Sequence, residues 1–140
     1  MAATQRSGCP INLTVELLGD RWTLLILRDI VFADRRHFRE LLRESQEGLT
    51  SSVLADRVER LVDAGVLVRE DDPSHRQKST YTLTDRGVDL VPVLATIGLW
   101  GATHLDADPE LAAEARTLDH DLPASWTALM ASLPRAVDHS

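Results

Sequence analysis

Residues 48–84 constrain the fold of this chain more than any other segment. They read GLTSSVLADRVERLVDAGVLVRE, then DDPSHRQKS, then TYTLT. Apolar residues first recur at the spacing of one helix face, at Leu54, Val58, Leu61 and Val62. Gly65 marks the end of that helix. Two short β-branched or aromatic runs follow, 66–68 and 81–83, with a polar tip between them, which is typical of a hairpin. The segment therefore predicts a helix followed by a β-hairpin wing.

Three helices are predicted before this segment. Pro10 lies near the start of the first helix, where its missing N–H costs little, and Gly19 ends it. Asp20 can cap the second helix, RWTLLILRDIVF, which is apolar on most sides and should be central. HFRELLRES is a short amphipathic third helix. Gly48 can supply a positive φ in the turn after it, and Thr50 is a suitable N-cap for the next helix. This order predicts a mainly α fold with a small β-hairpin wing, a winged helix-turn-helix.

The C-terminal part predicts further helices. Thr84 or Asp85 can cap a long helix over about 85–105, in which Pro92 predicts a kink or a late start. Two weaker helices, ELAAEARTL and SWTALMASL, follow a polar break at 106–109. We expect a flexible arm over 1–8, the winged helix-turn-helix domain over 9–105, and a helical extension of unassigned role over 106–140.

The charge distribution limits the class of partner. The net charge is −7, which argues against a uniformly basic nucleic-acid binder. The acid excess is largest at the C-terminal end, because residues 91–140 hold two arginines and seven acids. Residues 20–90 hold 12 of the 15 basic side chains, so local basic patches remain available for DNA. One cysteine and no long apolar run predict a cytoplasmic protein without a disulfide framework or a membrane span.

Several ordered motifs resemble one family. The runs CPINLTVELLGDRWTLLILRDI, HFRELLRE, GLTSSVLADRVERLVDAGVLVRE, YTLTDRGVDLVPVL and LWGATH are similar to the HxlR-type winged helix-turn-helix transcriptional regulators, over about residues 9–105. The resemblance implies a homodimeric bacterial DNA-binding repressor or activator. It also implies dimerisation through the N-terminal helix and the long C-terminal helix. The wing departs from the pattern, because it reads SHRQKSTY where many members have a proline-rich tip.

The predicted recognition helix, about 51–64, supplies the first candidate contacts to DNA. Ser51, Ser52 and Val53 form its first turn, and the N-terminal residues of recognition helices point at base edges. The alternative is that they are small exposed residues that only start a helix. Arg57 and Arg60 lie off the apolar stripe and can reach bases or phosphates. Arg57 is the favoured contact of the two, because it lies nearer the start of the helix. Alternatively, they form weak surface ion pairs with neighbouring acids.

The wing, about 71–79, and the third helix supply candidate phosphate contacts. His75, Arg76 and Lys78 form the wing tip, which can lie along the DNA backbone, although a solvated loop remains an alternative. Arg36 and Arg39 flank the first helix of the helix-turn-helix, which crosses the backbone. Arg43 can instead pair with a nearby glutamate.

Cys9 is the candidate redox sensor. It precedes Pro10 at a helix start, where the helix dipole can lower the pKa of a thiol. The family resemblance includes members that use an N-terminal cysteine as a switch. The alternative is an inert thiol. The histidines lack metal-ligand spacing, and neither a phosphate-binding glycine loop nor a catalytic constellation is present. We therefore expect no metal, no cofactor and no enzymatic activity.

Together these patterns predict a homodimeric regulator that binds double-stranded DNA at a pseudo-palindromic operator. The recognition helix would occupy the major groove and the wing the flanking backbone. Two alternatives remain open. One is a winged-helix protein–protein interaction module without DNA binding. The other is a regulator switched by Cys9 oxidation or by a small-molecule effector.

Overall fold

The computed structural model describes residues 7–72 and 75–135, and the side chains of these residues except 72 and 75–77. Ten elements follow in chain order: α1 (Pro10–Leu18), α2 (Arg21–Ala33), α3 (Phe38–Arg43), α4 (Ser51–Asp63), β1 (Leu67–Asp72), β2 (His75–Leu83), α5 (Asp85–Val88), α6 (Val91–His104), α7 (Pro109–Arg116) and α8 (Ala124–Ser132). This order confirms the predicted fold class, mainly α with a β-hairpin wing.

Local hydrogen bonds start the helices at the predicted residues. The Thr23 backbone N–H donates to Asp20 Oδ2 over 3.0 Å at the start of α2. The Val53 N–H donates to Thr50 Oγ1 over 3.4 Å at the start of α4. Thr84, rather than Asp85, caps α5. Each cap satisfies a backbone donor that the helix itself leaves unpaired.

Two glycines adopt the left-handed conformation on either side of α4. Gly48 has a φ of 84° and Gly65 a φ of 77°. Because a side chain disfavours this region, glycine fits both positions. These residues fix where the helix-turn-helix turn enters α4 and where the chain leaves α4 for the wing.

The wing extends further than the short apolar runs predicted. Strand β1 pairs antiparallel with β2, from Leu67 opposite Leu83 to Asp72 opposite His75. The strands continue through polar residues because backbone pairing does not require apolar side chains on a face that meets water. An isolated bridge joins His37 to Thr80 and connects the start of α3 to the wing.

The predicted helix over about 85–105 is divided into α5 and α6. Helix α5 ends at Val88, and α6 begins at Val91. Pro92 has no N–H to donate to the carbonyl of Val88, four residues earlier, so a continuous helix would lack that bond. The break agrees with the kink or late start that Pro92 predicted.

One core holds the helix-turn-helix together. Helix α2 contributes the most buried residues, in agreement with its predicted central place. The buried apolar side chains are Leu18, Ile26, Leu27, Ile30, Leu41, Leu54, Val58, Leu61, Val66, Leu67, Tyr81 and Leu94. Burial of each large aliphatic side chain contributes about 1.5–3 kcal/mol. Three of them, Leu54, Val58 and Leu61, orient α4.

The chain forms two compact units, one ending at Leu94 and the other beginning at Ala95. In the second unit, Asp108 caps α7 through the N–H groups of Glu110 and Leu111. The Arg116 guanidinium donates to the Ala102 carbonyl over 3.0 Å. None of the helices described between residues 10 and 132 combines the length and apolar character needed to cross a bilayer.

Candidate nucleic-acid interface

Helix α4 turns its apolar side to the core and its polar side to solvent. Its exposed residues are Ser51, Ser52, Ala55, Asp56, Glu59, Arg60 and Asp63. The separation follows from the 3.6-residue period, since the buried residues recur at spacings of three and four. The helix therefore presents a solvent-facing stripe of small and charged side chains along its whole length.

The N-terminal turn of α4 is open to a ligand. Ser51 and Ser52 are exposed, and Val53 is half-buried. The Ser52 hydroxyl lies 3.5 Å from the Thr50 hydroxyl. Hydroxyl groups can donate or accept, and the positive end of the helix dipole favours an anion here. The predicted contact residues of the first turn thus lie where a base edge or phosphate can reach them.

A groove separates α4 from the wing. Its volume is about 330 Å³, and its lining is Phe38, Ser51, Ser52, Ala55, Glu59, Arg69, Ser79 and Tyr81. Arg69 was not singled out from the sequence, because nothing in the spacing of β1 shows that its side chain borders this groove. Its Nε lies 3.0 Å from Asp71 Oδ1, and Asp71 Oδ1 also accepts from the Ser79 hydroxyl over 3.0 Å.

Arg57 is bonded to two carboxylates. Its Nε lies 2.6 Å from Asp20 Oδ2, and its Nη1 lies 2.6 Å from Asp56 Oδ2. The Arg57 side chain is only 23% exposed. The Arg57 guanidinium is the largest cause that holds the pKa of the Asp20 carboxyl well below its usual value. The same residue that caps α2 therefore also anchors the recognition helix, 37 positions later in the chain.

Arg60 differs from Arg57 in having a free side chain. Arg60 is exposed, and no described residue forms an ion pair or hydrogen bond with its guanidinium. It lies one turn from Asp56, near the C-terminal end of α4. Of the two α4 arginines predicted to contact DNA, Arg60 is the one whose charge is available.

The predicted phosphate contacts gather around α3 and the wing. Arg36 Nε lies 3.1 Å from Asp34 Oδ1, and its backbone carbonyl accepts from the Tyr81 N–H over 2.7 Å. Arg39 and Lys78 line one hollow of about 260 Å³, together with His37, Glu40 and Arg43. The side chains of His75 and Arg76 lie outside the described part of the structure. Bringing Arg39 and Lys78 together needed the tertiary fold, since they are distant in sequence.

A second ionic cluster secures the helix-turn-helix turn. Arg28 binds Glu47 through two bonds, Nη1 to Oε2 at 2.8 Å and Nη2 to Oε1 at 3.1 Å. Arg28 Nε also bonds to Asp29 Oδ1 at 2.9 Å. The Arg28 guanidinium lowers the pKa of Glu47. Arg43 pairs instead with Glu44, at 3.3 Å. The bonds between Arg28 and Glu47 hold the segment that leads into α4 against α2.

Cys9 lies at the N-cap position of α1, and it is exposed. Its backbone N–H donates to the Ser7 hydroxyl over 3.1 Å. The thiol is therefore accessible to reagents in the single chain. Among the described residues, no group of histidine, cysteine and acidic side chains is arranged to hold a metal ion.

Comparisons with known proteins agree with this architecture. The model of the HxlR-like helix-turn-helix family matches residues 17–109. An HTH-type transcriptional regulator of Mycobacterium tuberculosis is 36% identical over 98 residues, which cover 70% of this chain and 60% of the relative. The chain thus matches less than two thirds of the length of that relative.

Two solved structures share the fold. The crystal structure of PA1607, described as a transcription factor, has a TM-score of 0.65 and 32% identity, covering 77% of this chain and 73% of that chain. The reduced form of the transcriptional regulator YodB from B. subtilis has a TM-score of 0.55 and 28% identity, covering 73% of this chain and 100% of that chain. The family model, the winged helix-turn-helix and these relatives together show that the chain belongs to the HxlR-like helix-turn-helix family, whose members are transcriptional regulators rather than enzymes.

Proposed function

We propose that this chain is a sequence-specific DNA-binding transcriptional regulator that acts as a homodimer on a pseudo-palindromic operator. The recognition helix, about 51–64, occupies the major groove, and the wing, about 71–79, lies on the flanking backbone. The observation that carries the proposal is the exposed, Thr50-capped first turn of α4 beside the wing. The major groove of B-DNA admits an α-helix, and the N-terminal residues of such a helix contact base edges.

The contacts fall into two groups in this proposal. Ser51, Ser52 and Val53 face the bases, and Arg60 reaches a base or phosphate from the flank of α4. The remaining cations bind the phosphate backbone, and they are Arg36, Arg39, His75, Arg76 and Lys78. Arg57 contributes by holding α4 in place, because its guanidinium is already bonded to Asp20 and Asp56. A phosphate could displace these carboxylates only if its interaction with Arg57 were stronger than the two charge-assisted bonds that it would replace.

Two exposed apolar faces support the dimer. Ile11 and Val15 are 75% and 55% exposed on α1. On α6, Val93, Ile97 and Trp100 are exposed at spacings of four and three. Monomeric proteins rarely expose contiguous apolar patches of such side chains. A two-fold dimer through α1 and α6 would cover them, and its symmetry would match a pseudo-palindromic operator.

A redox-sensitive regulator is the second candidate. Cys9 is exposed, and it immediately precedes α1, one of the two helices assigned to the dimer. The YodB structure is described as the reduced form of that regulator. Oxidation of Cys9 would change the chemistry at the edge of the proposed dimer interface. A small-molecule effector is the third candidate.

DNA selection from a random duplex pool, followed by fluorescence anisotropy at two salt concentrations, tests the proposal. We expect enrichment of an inverted repeat and weaker binding at higher salt, because phosphate contacts release counterions. Arg39→Glu and Lys78→Glu should each weaken binding about tenfold, on the order of 1.4 kcal/mol. Arg135→Glu makes the same charge change near the C-terminal end of the described chain and should leave affinity unchanged.

The alternative of a protein–protein interaction module gives a different result. A folded dimer that enriches no sequence at either salt concentration would contradict the regulator and favour that alternative. Arg57→Glu is unsuitable for this distinction, because it would also break the ion pair with Asp20. Arg39 and Lys78 avoid that difficulty, since they are exposed.

A further inference from the structure

The stripe that α4 would present to DNA is rich in hydrogen-bond acceptors. Ser52, Asp56, Glu59 and Asp63 recur along it at spacings of three, four and seven, and all four are exposed. Most recognition surfaces place arginine or lysine against guanine, whose major-groove edge offers two acceptors. Here carboxylates occupy the centre of the stripe. A surface of this chemistry is complementary to a base that presents a hydrogen-bond donor in the major groove.

The cations of α4 lie away from the centre of the stripe. Arg57 is turned toward Asp20 and is largely covered, with its Nε 2.6 Å from Asp20 Oδ2. Arg60 lies about 100° around the helix from Glu59, since each residue advances by one part in 3.6 of a turn. The centre of the stripe is thus left to groups that accept hydrogen bonds or, for serine, to groups that do either.

Glu59 is the carboxylate best placed to contact a base. It lines the groove beside the wing, as Arg69 does. Asp56 is bonded to Arg57 over 2.6 Å, whereas no described residue forms a hydrogen bond or ion pair with the Glu59 carboxylate. Asp63 is the last residue of α4, far from the N-terminal end that enters the groove most closely. Glu59 is therefore exposed, has no partner among the described residues and lies in the second half of α4.

We propose that Glu59 is a specificity-determining residue that accepts a hydrogen bond from the N4 amino group of a cytosine in the operator. The inference rests on the proposed function, and it specifies which base the recognition helix selects. Only cytosine N4 and adenine N6 donate in the major groove. Adenine N6 lies between two acceptors, its own N7 and the O4 of the paired thymine, which repel a carboxylate. Cytosine N4 has one such neighbour, the O6 of guanine.

The spacing of the stripe predicts where this cytosine lies. Ser52 and Glu59 are seven residues apart, which corresponds to about 10.5 Å along the helix. Base pairs are spaced about 3.4 Å apart, so the two side chains can be separated by at most about three base pairs along the DNA axis. The cytosine should therefore lie within about three base pairs of the position that the first turn of α4 contacts, once in each half-site.

Operator selection with three variants tests the role of Glu59. The wild type should enrich one cytosine in each half-site. Glu59→Ala should reduce the preference for cytosine at that position about tenfold while leaving the other positions unchanged. Glu59→Gln should shift the preference toward adenine, because a glutamine amide pairs with adenine N6 and N7. Asp63→Asn is the matched control, because it removes one exposed acid from the same helix and should change no base preference.

The outcomes separate this inference from the proposed function. Failure of the folded wild type to enrich any DNA sequence would overturn both. An enriched operator whose base preferences are identical for the wild type and Glu59→Ala would overturn the role of Glu59 alone. A uniform affinity gain shared by Glu59→Ala and Asp63→Asn would also overturn it, because it would reveal only a reduced repulsion from phosphate. Circular dichroism of each variant confirms that the helices are retained.

Discussion

Asp20 connects the start of α2 to α4. Its carboxylate accepts the Thr23 N–H at the start of α2 and bonds to Arg57 of the recognition helix. The cap is local and was predicted from the sequence. The ion pair is not local, and no helix periodicity indicates it. One side chain therefore joins the helix that follows α1 to the helix that would read DNA.

Replacing Asp20 by asparagine should measure how much the ion pair with Arg57 contributes to the free energy of unfolding. Asparagine retains a capping oxygen but loses the charge. Near neutral pH we expect Asp20→Asn to lower the free energy of unfolding by about 1–2 kcal/mol, in the range of hydrogen bonds to charged groups. Urea denaturation of both proteins measures the difference. Asp56→Asn is the control, because that carboxylate is more exposed and caps no helix, so its effect should be smaller.

The same pair predicts a pH dependence. The pKa of Asp20 is lower in the folded chain than in the unfolded chain, where it is about 3.9. Its stabilising contribution is therefore complete above about pH 5 and is lost as the pH falls through the unfolded pKa toward the folded one. The difference between wild type and Asp20→Asn should shrink in acid. A difference that stayed constant down to about pH 2 would contradict the assignment.

At the scale of elements, α1 is anchored at one end and open along one side. Leu18 is buried in the core, whereas Ile11 and Val15 on the same face are exposed. The i, i+4, i+7 spacing predicted this apolar face correctly. It did not predict that only the last member would be covered within one chain. The remaining members are available to a second copy.

Val15→Asp should weaken the dimer. An aspartate at the centre of an apolar interface would be buried without a partner, so we expect the dimer dissociation constant to rise at least about tenfold. Analytical ultracentrifugation over a dilution series measures it. Val68→Asp is matched, because Val68 is an exposed valine on β1, with 51% exposure against 55% for Val15. Equal dissociation constants for the wild type and Val15→Asp would remove α1 from the interface.

At the scale of the whole molecule, a continuous path joins Cys9 to the reading face. Cys9 precedes α1, Gly19 follows it, and Asp20 then bonds to Arg57 of α4. A change in the position of α1 would therefore act on the anchor of the recognition helix. The bonds along this path lie within the unit that ends at Leu94.

Mild oxidation should change the affinity for DNA if Cys9 is a sensor. Hydrogen peroxide converts a thiolate to a sulfenic acid. We expect treatment to change the operator affinity of the wild type at least about fivefold, the lower range of allosteric coupling. Anisotropy with the selected operator measures this change, and a reductant should reverse it. Cys9→Ser should not respond. If wild type and Cys9→Ser responded equally, Cys9 would have no part in the response.

The sequence by itself determined the features that depend on neighbours along the chain. The caps at Asp20 and Thr50, the positive φ of Gly48 and the apolar side of α4 all follow from interactions within about one or two turns. The family resemblance was likewise carried by ordered local motifs. Such features can be predicted from the sequence because the interacting residues lie at fixed, short spacings along the chain.

Only the tertiary structure decided which partners the charged side chains contact. The sequence favoured Arg57 over Arg60 as a DNA contact, yet Arg57 is bonded to Asp20 and Arg60 is free among the described residues. Arg69 borders the groove beside α4, which its place in β1 does not reveal. A long charged side chain can reach many partners, and its choice depends on which distant elements the core brings within about 3 Å. For this reason the fold could be predicted from the sequence, whereas the ion pair of Arg57 and the places of Arg69 and Glu59 in the groove depended on the packing of distant elements.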